Sequence, residues 1–180
     1  RQLLLLFAAD NYVMPAMLGF TPDPSTGITS DYKTGAAFEA RDIPKDSVIA
    51  GWPVGEIRKV EYVTRRNAFL TGDLHQVLHL NFLKAMRERM DALFDAYLSV
   101  DVAPLDRLRQ EFGVTHLIVE TRDFTDPERA PEYFAPWRSR IQPRLKEIKG
   151  KEYLMNGTLH ERAAVFNQNG LLLLDLAKLR

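Results

Sequence analysis

The chain contains no cysteine. That excludes disulfides, iron–sulfur clusters and thiolate zinc sites. It also has no excess of either charge, with 24 Lys and Arg against 24 Asp and Glu in 180 residues. A balanced chain has no summed field with which to gather phosphates or anionic headgroups, so nucleic acid is not expected as a partner. The apolar run Leu3 to Ala9 is seven residues long, far short of the roughly 20 that cross a bilayer. It lacks the charged start and cleavage site of a signal peptide. This run reads either as the first turns of a helix packed on the domain or as the stub of a trimmed membrane helix. The first residue, Arg1, reads as the mark of processing or of excision from something longer.

Catalytic signatures are missing as well. No Walker lysine–serine motif, no Gly-x-Ser-x-Gly and no Asp-x-Asp occurs in the sequence. Gly51-Trp52-Pro53-Val54-Gly55 has two of the glycines of a phosphate loop, but the third is absent and Pro53 removes a donor N–H. His75 and His79 would share a helical face, yet Gln76-Val77-Leu78 separates them without the glutamate of a metalloprotease. They read as a chance pair, and His116 and His160 lie elsewhere, in a strand and near a turn. Asn156-Gly157-Thr158 matches the glycosylation acceptor pattern, which three residues often match by chance. No metal and no cofactor is expected.

What is present is the pattern of one α/β domain. The hydrophobic fraction of 46% and charged fraction of 27% suit a globular core. Residues 19–35 are rich in turn formers, as in Thr21-Pro22-Asp23-Pro24-Ser25-Thr26-Gly27. Residues 1–34 therefore read as an N-terminal helix and connector, and 35–180 as the domain. A short helix over Gly35 to Arg41 should stop before Ile43-Pro44. Val48 to Trp52, closed by Pro53, reads as a buried strand. Lys59 to Thr64 and Ala68 to Thr71 read as extended pieces around Arg65-Arg66.

The clearest periodicity follows. His79, Leu83, Met86, Met90, Leu93 and Tyr97 recur at spacings of four and three, which predicts a helix over Leu74 to Leu98 with that stripe inward. Lys84–Glu88 and Arg87–Asp91 support it as i,i+4 pairs, and Asp91 and Asp95 fall on its solvated face. Asp101 suits the cap of a further helix, Pro104 its first turn, and Leu105, Leu108 and Phe112 its buried side. Gly113 suits its left-handed end. Val114 to Val119 then reads as a parallel strand, since helix, glycine and β-branched run make an α/β unit. Asp126-Pro127 opens a last helical stretch interrupted by Pro131, Pro136 and Pro143. Asn167-Gln168-Asn169-Gly170 between Ala163–Phe166 and Leu171–Leu176 predicts a hairpin. The expected fold is thus a small, mostly parallel sheet flanked by helices, with a C-terminal β-hairpin.

In open α/β sheets ligands bind beyond the carboxyl ends of parallel strands. Here those ends are Gly51 to Glu56 and Glu120 to Asp123. The candidate crevice residues are Glu56, Arg65, Arg66, Asp73, His75, Glu120 and Arg122, which read either as a ligand crevice or as the charged rim of a soluble domain.

Ile43-Pro44-Lys45-Asp46-Ser47-Val48-Ile49-Ala50-Gly51 resembles a stretch just after the last transmembrane helix of large bacterial membrane proteins of the type-C glycosyltransferase kind. The resemblance continues through Arg65-Arg66, Met86-Arg87-Glu88-Arg89 with Ala96-Tyr97, Phe112 to Val119, and Tyr133-Phe134-Ala135-Pro136. It implies an extracytoplasmic C-terminal domain that binds a glycan or lipid-linked acceptor, or the transmembrane portion of its own parent chain. The catalytic acid of such transferases is expected between early transmembrane helices and has no counterpart here. The alternative is a stand-alone α/β enzyme or small-ligand binder, cytoplasmic or otherwise, that uses the strand-end crevice.

Overall fold

The computed structural model describes residues 43–72, 80–121, 137–148, 162–168 and 170–179. By its internal contacts the chain divides at Thr34/Gly35, and the fold below is that of the second unit. The helix expected at Gly35–Arg41, the connector, Leu3–Ala9, His79, His160, Asn156 and the segment around Asp126-Pro127 and Tyr133–Pro136 lie outside the described residues.

The chain forms a five-stranded mixed sheet in the order β2-β1-β3-β5-β4. The first strand, β1 (Val48–Ala50), runs parallel to β2 (Asn67–Ala68) on one side and to β3 (His116–Glu120) on the other. On the far side of β3, β5 (Leu171–Asp175) and β4 (Ala164–Gln168) are antiparallel, as a hairpin requires. The strands expected within Val48–Trp52 and Val114–Val119 are β1 and β3, which pair directly in parallel, with Ile49 opposite His116. The hairpin loop is tighter than the sequence suggested, because Asn167 and Gln168 still pair with Leu172 and Leu171. Gly170 turns the chain at φ 77°, a conformation glycine adopts without strain. Val165 enters as an extra residue between the pairs Ala164–Leu174 and Phe166–Leu173, a bulge.

Side chains alternate across the sheet, and both faces are covered. Ile49, Ile118, Leu171 and Leu173 face one way, into a cluster with Ile43, Ile57, Val60 and Phe166. Ala50, Leu117, Val119, Leu172 and Leu174 face the other, into the larger core. That core is closed by three helices: α2 (Leu80–Tyr97), α3 (Ala103–Phe112) and α4 (Trp137–Ile148). The predicted stripe on α2 is inward, with Met86, Met90, Leu93 and Tyr97 buried. Ala92, Phe94 and Ala96 are buried beside it, because sheet and flanking helices enclose the last turns of α2 on more than one side.

One assignment is corrected. Lys59–Thr64 is not extended but belongs to α1, the helix Ile57–Thr64. Ile57, Val60 and Thr64 are buried while Arg58 and Glu61 are exposed, an i, i+3, i+7 pattern. Tertiary packing overrides the β-branched composition here: α1 is the crossover that carries the chain back so that β2 can pair parallel to β1. Arg65, at φ 55°, ends the helix in the left-handed region. Of Ala68–Thr71 only Ala68 belongs to a strand.

The helix after Asp101 ends as expected, with Gly113 at φ 69° and its N–H donating to the Leu108 carbonyl. Asp101 lies one residue further out than predicted: its carboxylate accepts from the Ala103 N–H at 3.3 Å, next to Val102 at the cap position. Pro143 sits inside α4 on its exposed side. The missing N–H costs that helix its bond to the Ser139 carbonyl.

Candidate functional site

The carboxyl ends of β1 and β3 meet at the start of α1. After β1 the chain turns tightly, the Gly55 N–H donating to the Trp52 carbonyl at 3.0 Å. The Gly72 N–H returns to the Pro53 carbonyl at 2.9 Å, tying the segment after β2 to the same turn. α1 then begins without a side-chain cap of its own. The cap is supplied by β3. Glu120, the last residue of that strand, extends its carboxylate under the turn, where Oε1 accepts from the Glu56 N–H at 2.9 Å.

Two features fit the carboxylate to this place. The first turn of a helix presents unpaired N–H groups and the positive end of the macrodipole, which favour an anion. The second is Gly55: a Cβ there would lie 2.0 Å from Glu120 Oε1, so any other residue would collide with the carboxylate. Glu120 is 7% exposed. Its own N–H donates to the Tyr97 hydroxyl at 3.2 Å, and Trp52 packs on Tyr97 with ring centroids 5.3 Å apart. Strand β3, the turn and α2 are thereby joined at one point. In doubly wound folds this is where a ligand's anionic group docks. Here the chain's own carboxylate occupies it.

The structure brings Glu56 and Glu120 together, through the Glu56 backbone. The Glu56 side chain turns outward to Lys59, 3.2 Å away. Arg65 and Arg66 are at the opposite, amino ends of the parallel strands, not in the crevice, because α1 runs the length of the strands before they occur. Asn67 pairs with Val48, the first residue of β1. There the Arg66 guanidinium donates to the carbonyls of Thr64 and Ile43, holding the end of α1 to the segment before β1. Asp73, His75 and Arg122 lie outside the described residues. Among the described residues no group of three His, Asp or Glu side chains could hold a metal ion.

Sequence reasoning missed a second polar cluster. Asp91 and Asp95, read as solvated surface, face α4. Asp91 Oδ1 accepts from the Trp137 indole N–H at 2.8 Å and from Arg140 at 2.7 Å, and Arg140 reaches Asp95 at 4.0 Å. The Arg140 guanidinium lies over the Phe94 ring, 4.6 Å from its centroid. Beside it a groove of about 390 Å³ opens between α2 and α4, lined also by Ser139, Arg144 and Glu147. Arg144 and Glu147 pair at 2.8 Å, so the groove's cations all have carboxylate partners. The i,i+4 spacing of Asp91 and Asp95 was the available signal, but their partners lie more than 40 residues away in sequence.

No protein-family model matches this chain, and no curated protein does. No helix among the described residues is long and apolar enough to cross a membrane.

Proposed function

We propose that this chain is a non-catalytic accessory domain of a membrane-embedded, glycosyltransferase-like protein, on the extracytoplasmic face of a bacterial membrane. Its work is to bind a glycan or lipid-linked acceptor, or the membrane portion of its own parent. The transferase part of the reading rests on the resemblance carried by Ile43–Gly51, Arg65-Arg66, Met86–Arg89 and Phe112–Val119. The non-catalytic part rests on the use made of Glu120. A general acid or base must reach a substrate proton, whereas this carboxylate is buried against Gly55 and bonded to the N-terminus of α1.

The test is turnover of nucleotide-sugar and phospho-sugar substrates by the 180-residue chain, with binding of short glycans followed in parallel by amide chemical shifts. The reading expects shifts without turnover. Turnover lost on Asp73→Asn would replace it with the stand-alone enzyme.

A further inference from the structure

Among the described helices α4 is the most unevenly charged. It carries Arg138, Arg140, Arg144 and Lys146 against the single acid Glu147. Its neighbours are balanced: α2 has Lys84, Arg87 and Arg89 against Glu88, Asp91 and Asp95, and α3 has Arg107 and Arg109 against Asp106 and Glu111. The sequence continues the bias, with Lys149 and Lys151 and no further acid before Glu152. The zero net charge of the chain therefore hides a local excess of cations.

Packing decides where the cations of α4 point. Trp137, Ile141, Leu145 and Ile148 are buried, so one stripe of the helix is fixed against the core and the charged residues are turned outward. At about 100° per residue they divide into two flanks. Arg140 and Arg144 fall on the flank toward α2, where Asp91, Asp95 and Glu147 neutralise them. Arg138 and Lys146 fall on the other, about 12 Å apart along the axis. Both are exposed, and no carboxylate among the described residues pairs with either.

We infer that this flank of α4 is the surface by which the domain lies on an anionic lipid membrane. Charge complementarity selects the occupant: headgroup phosphates form a diffuse negative plane, and every Lys or Arg brought near it adds attraction. The apolar residues of α4 are already committed to the core, and the Trp137 indole is bonded to Asp91, so the contact is electrostatic and nothing inserts. Nucleic acid fits this flank less well. Single strands are held by exposed aromatic rings on which bases stack, and the exposed large apolar residues among those described are Val54, Leu80 and Val100. The inference rests on the charges of α4 and not on the glycan reading, so either can fail without the other.

The experiment is co-sedimentation of the 180-residue chain with vesicles of phosphatidylglycerol and phosphatidylcholine in equal parts, and with vesicles of phosphatidylcholine alone. The chain should bind the anionic vesicles at about 50 mM salt, release them at about 500 mM, where the screening length is a few ångströms, and ignore the neutral ones. Each cation near such a surface is worth about fivefold in partitioning, so Arg138→Gln with Lys146→Gln should weaken binding about 30-fold. Arg58→Gln with Arg65→Gln removes the same charge from α1, on the other face of the sheet, and should change binding less than about twofold. Circular dichroism checks that both double variants are folded. Absence of binding to the anionic vesicles, equal binding to neutral ones, or binding that survives high salt would overturn the inference. So would equal losses in the two double variants, which would reduce it to net charge, or tighter binding to single-stranded DNA, lost with Arg138 and Lys146, which would replace the lipid by nucleic acid.

Discussion

Replacing Gly55 by alanine tests how Glu120 is used. The new Cβ would stand 2.0 Å from Glu120 Oε1 and 3.1 Å from its Cδ, while its next neighbour, the Trp52 carbonyl, is at an ordinary 3.5 Å. Only the carboxylate has to move. It cannot leave without giving up the bond to the Glu56 N–H, a hydrogen bond to a charged group worth about 1.5–3 kcal/mol. Against this, alanine restricts the unfolded chain and returns about 0.4–1 kcal/mol. The net expectation is a loss of roughly 0.5–2.5 kcal/mol. In a Glu120→Ala background nothing remains to collide with, so the same substitution should be neutral or stabilising by up to about 1 kcal/mol. Urea unfolding of the four proteins of this cycle, followed by circular dichroism, reads the difference. A Gly55→Ala cost that is the same with and without Glu120 would refute the packing described here.

Leu93→Ala, at a fully buried position in the middle of the α2 stripe, should cost about 2–5 kcal/mol; a denaturant melt showing under about 0.5 kcal/mol would place that stripe in solvent. Gly113→Ala should cost about 1–2 kcal/mol, since φ is 69° and no atom lies near enough to clash, so the penalty is that of the backbone alone; thermal unfolding measures it. Asp91→Ala should cost about 0.5–2 kcal/mol by freeing the Trp137 indole and Arg140. Asp91→Asn should recover the indole share, and Trp137 fluorescence should shift in the alanine variant only.

The parts of the fold that were legible in sequence are those fixed by local rules. The stripe from Met86 to Tyr97 announces α2 because seven-residue periodicity needs no partner to be recognised. Gly113 marks the end of α3 because glycine alone takes that backbone conformation without strain. The runs at Val48 and Val114 were legible as strands of one sheet, neighbours or near-neighbours, since short apolar runs separated by helices leave few arrangements. What failed depends on pieces distant in sequence. Lys59–Thr64 contains Val60, Val63 and Thr64 and looks like a strand until the buried positions of Ile57, Val60 and Thr64 show the helical spacing. Arg65 and Arg66 read as either crevice or rim because the length of α1 was not known. Once α1 runs the length of the strands, they must emerge at the strands' amino ends. Glu120 was among the crevice candidates, but its acceptor role toward the Glu56 N–H and its fit against Gly55 follow from how β3 and the turn meet. No local pattern encodes that meeting. The same holds for Asp91, whose partners Trp137 and Arg140 arrive from a helix 46 and 49 residues on.

The claim that matters most is that the carboxylate at the strand ends holds the fold and does no chemistry. Glu120→Gln isolates it, because the amide oxygen can still accept from the Glu56 N–H while the acid is gone. Turnover of a panel of nucleotide-sugar and phospho-sugar substrates should be measured for the wild-type chain and for Glu120→Gln, with circular dichroism confirming that both are folded. The account predicts no turnover above the protein-free control for either protein. Turnover by the wild-type chain that disappears in a folded Glu120→Gln would contradict it.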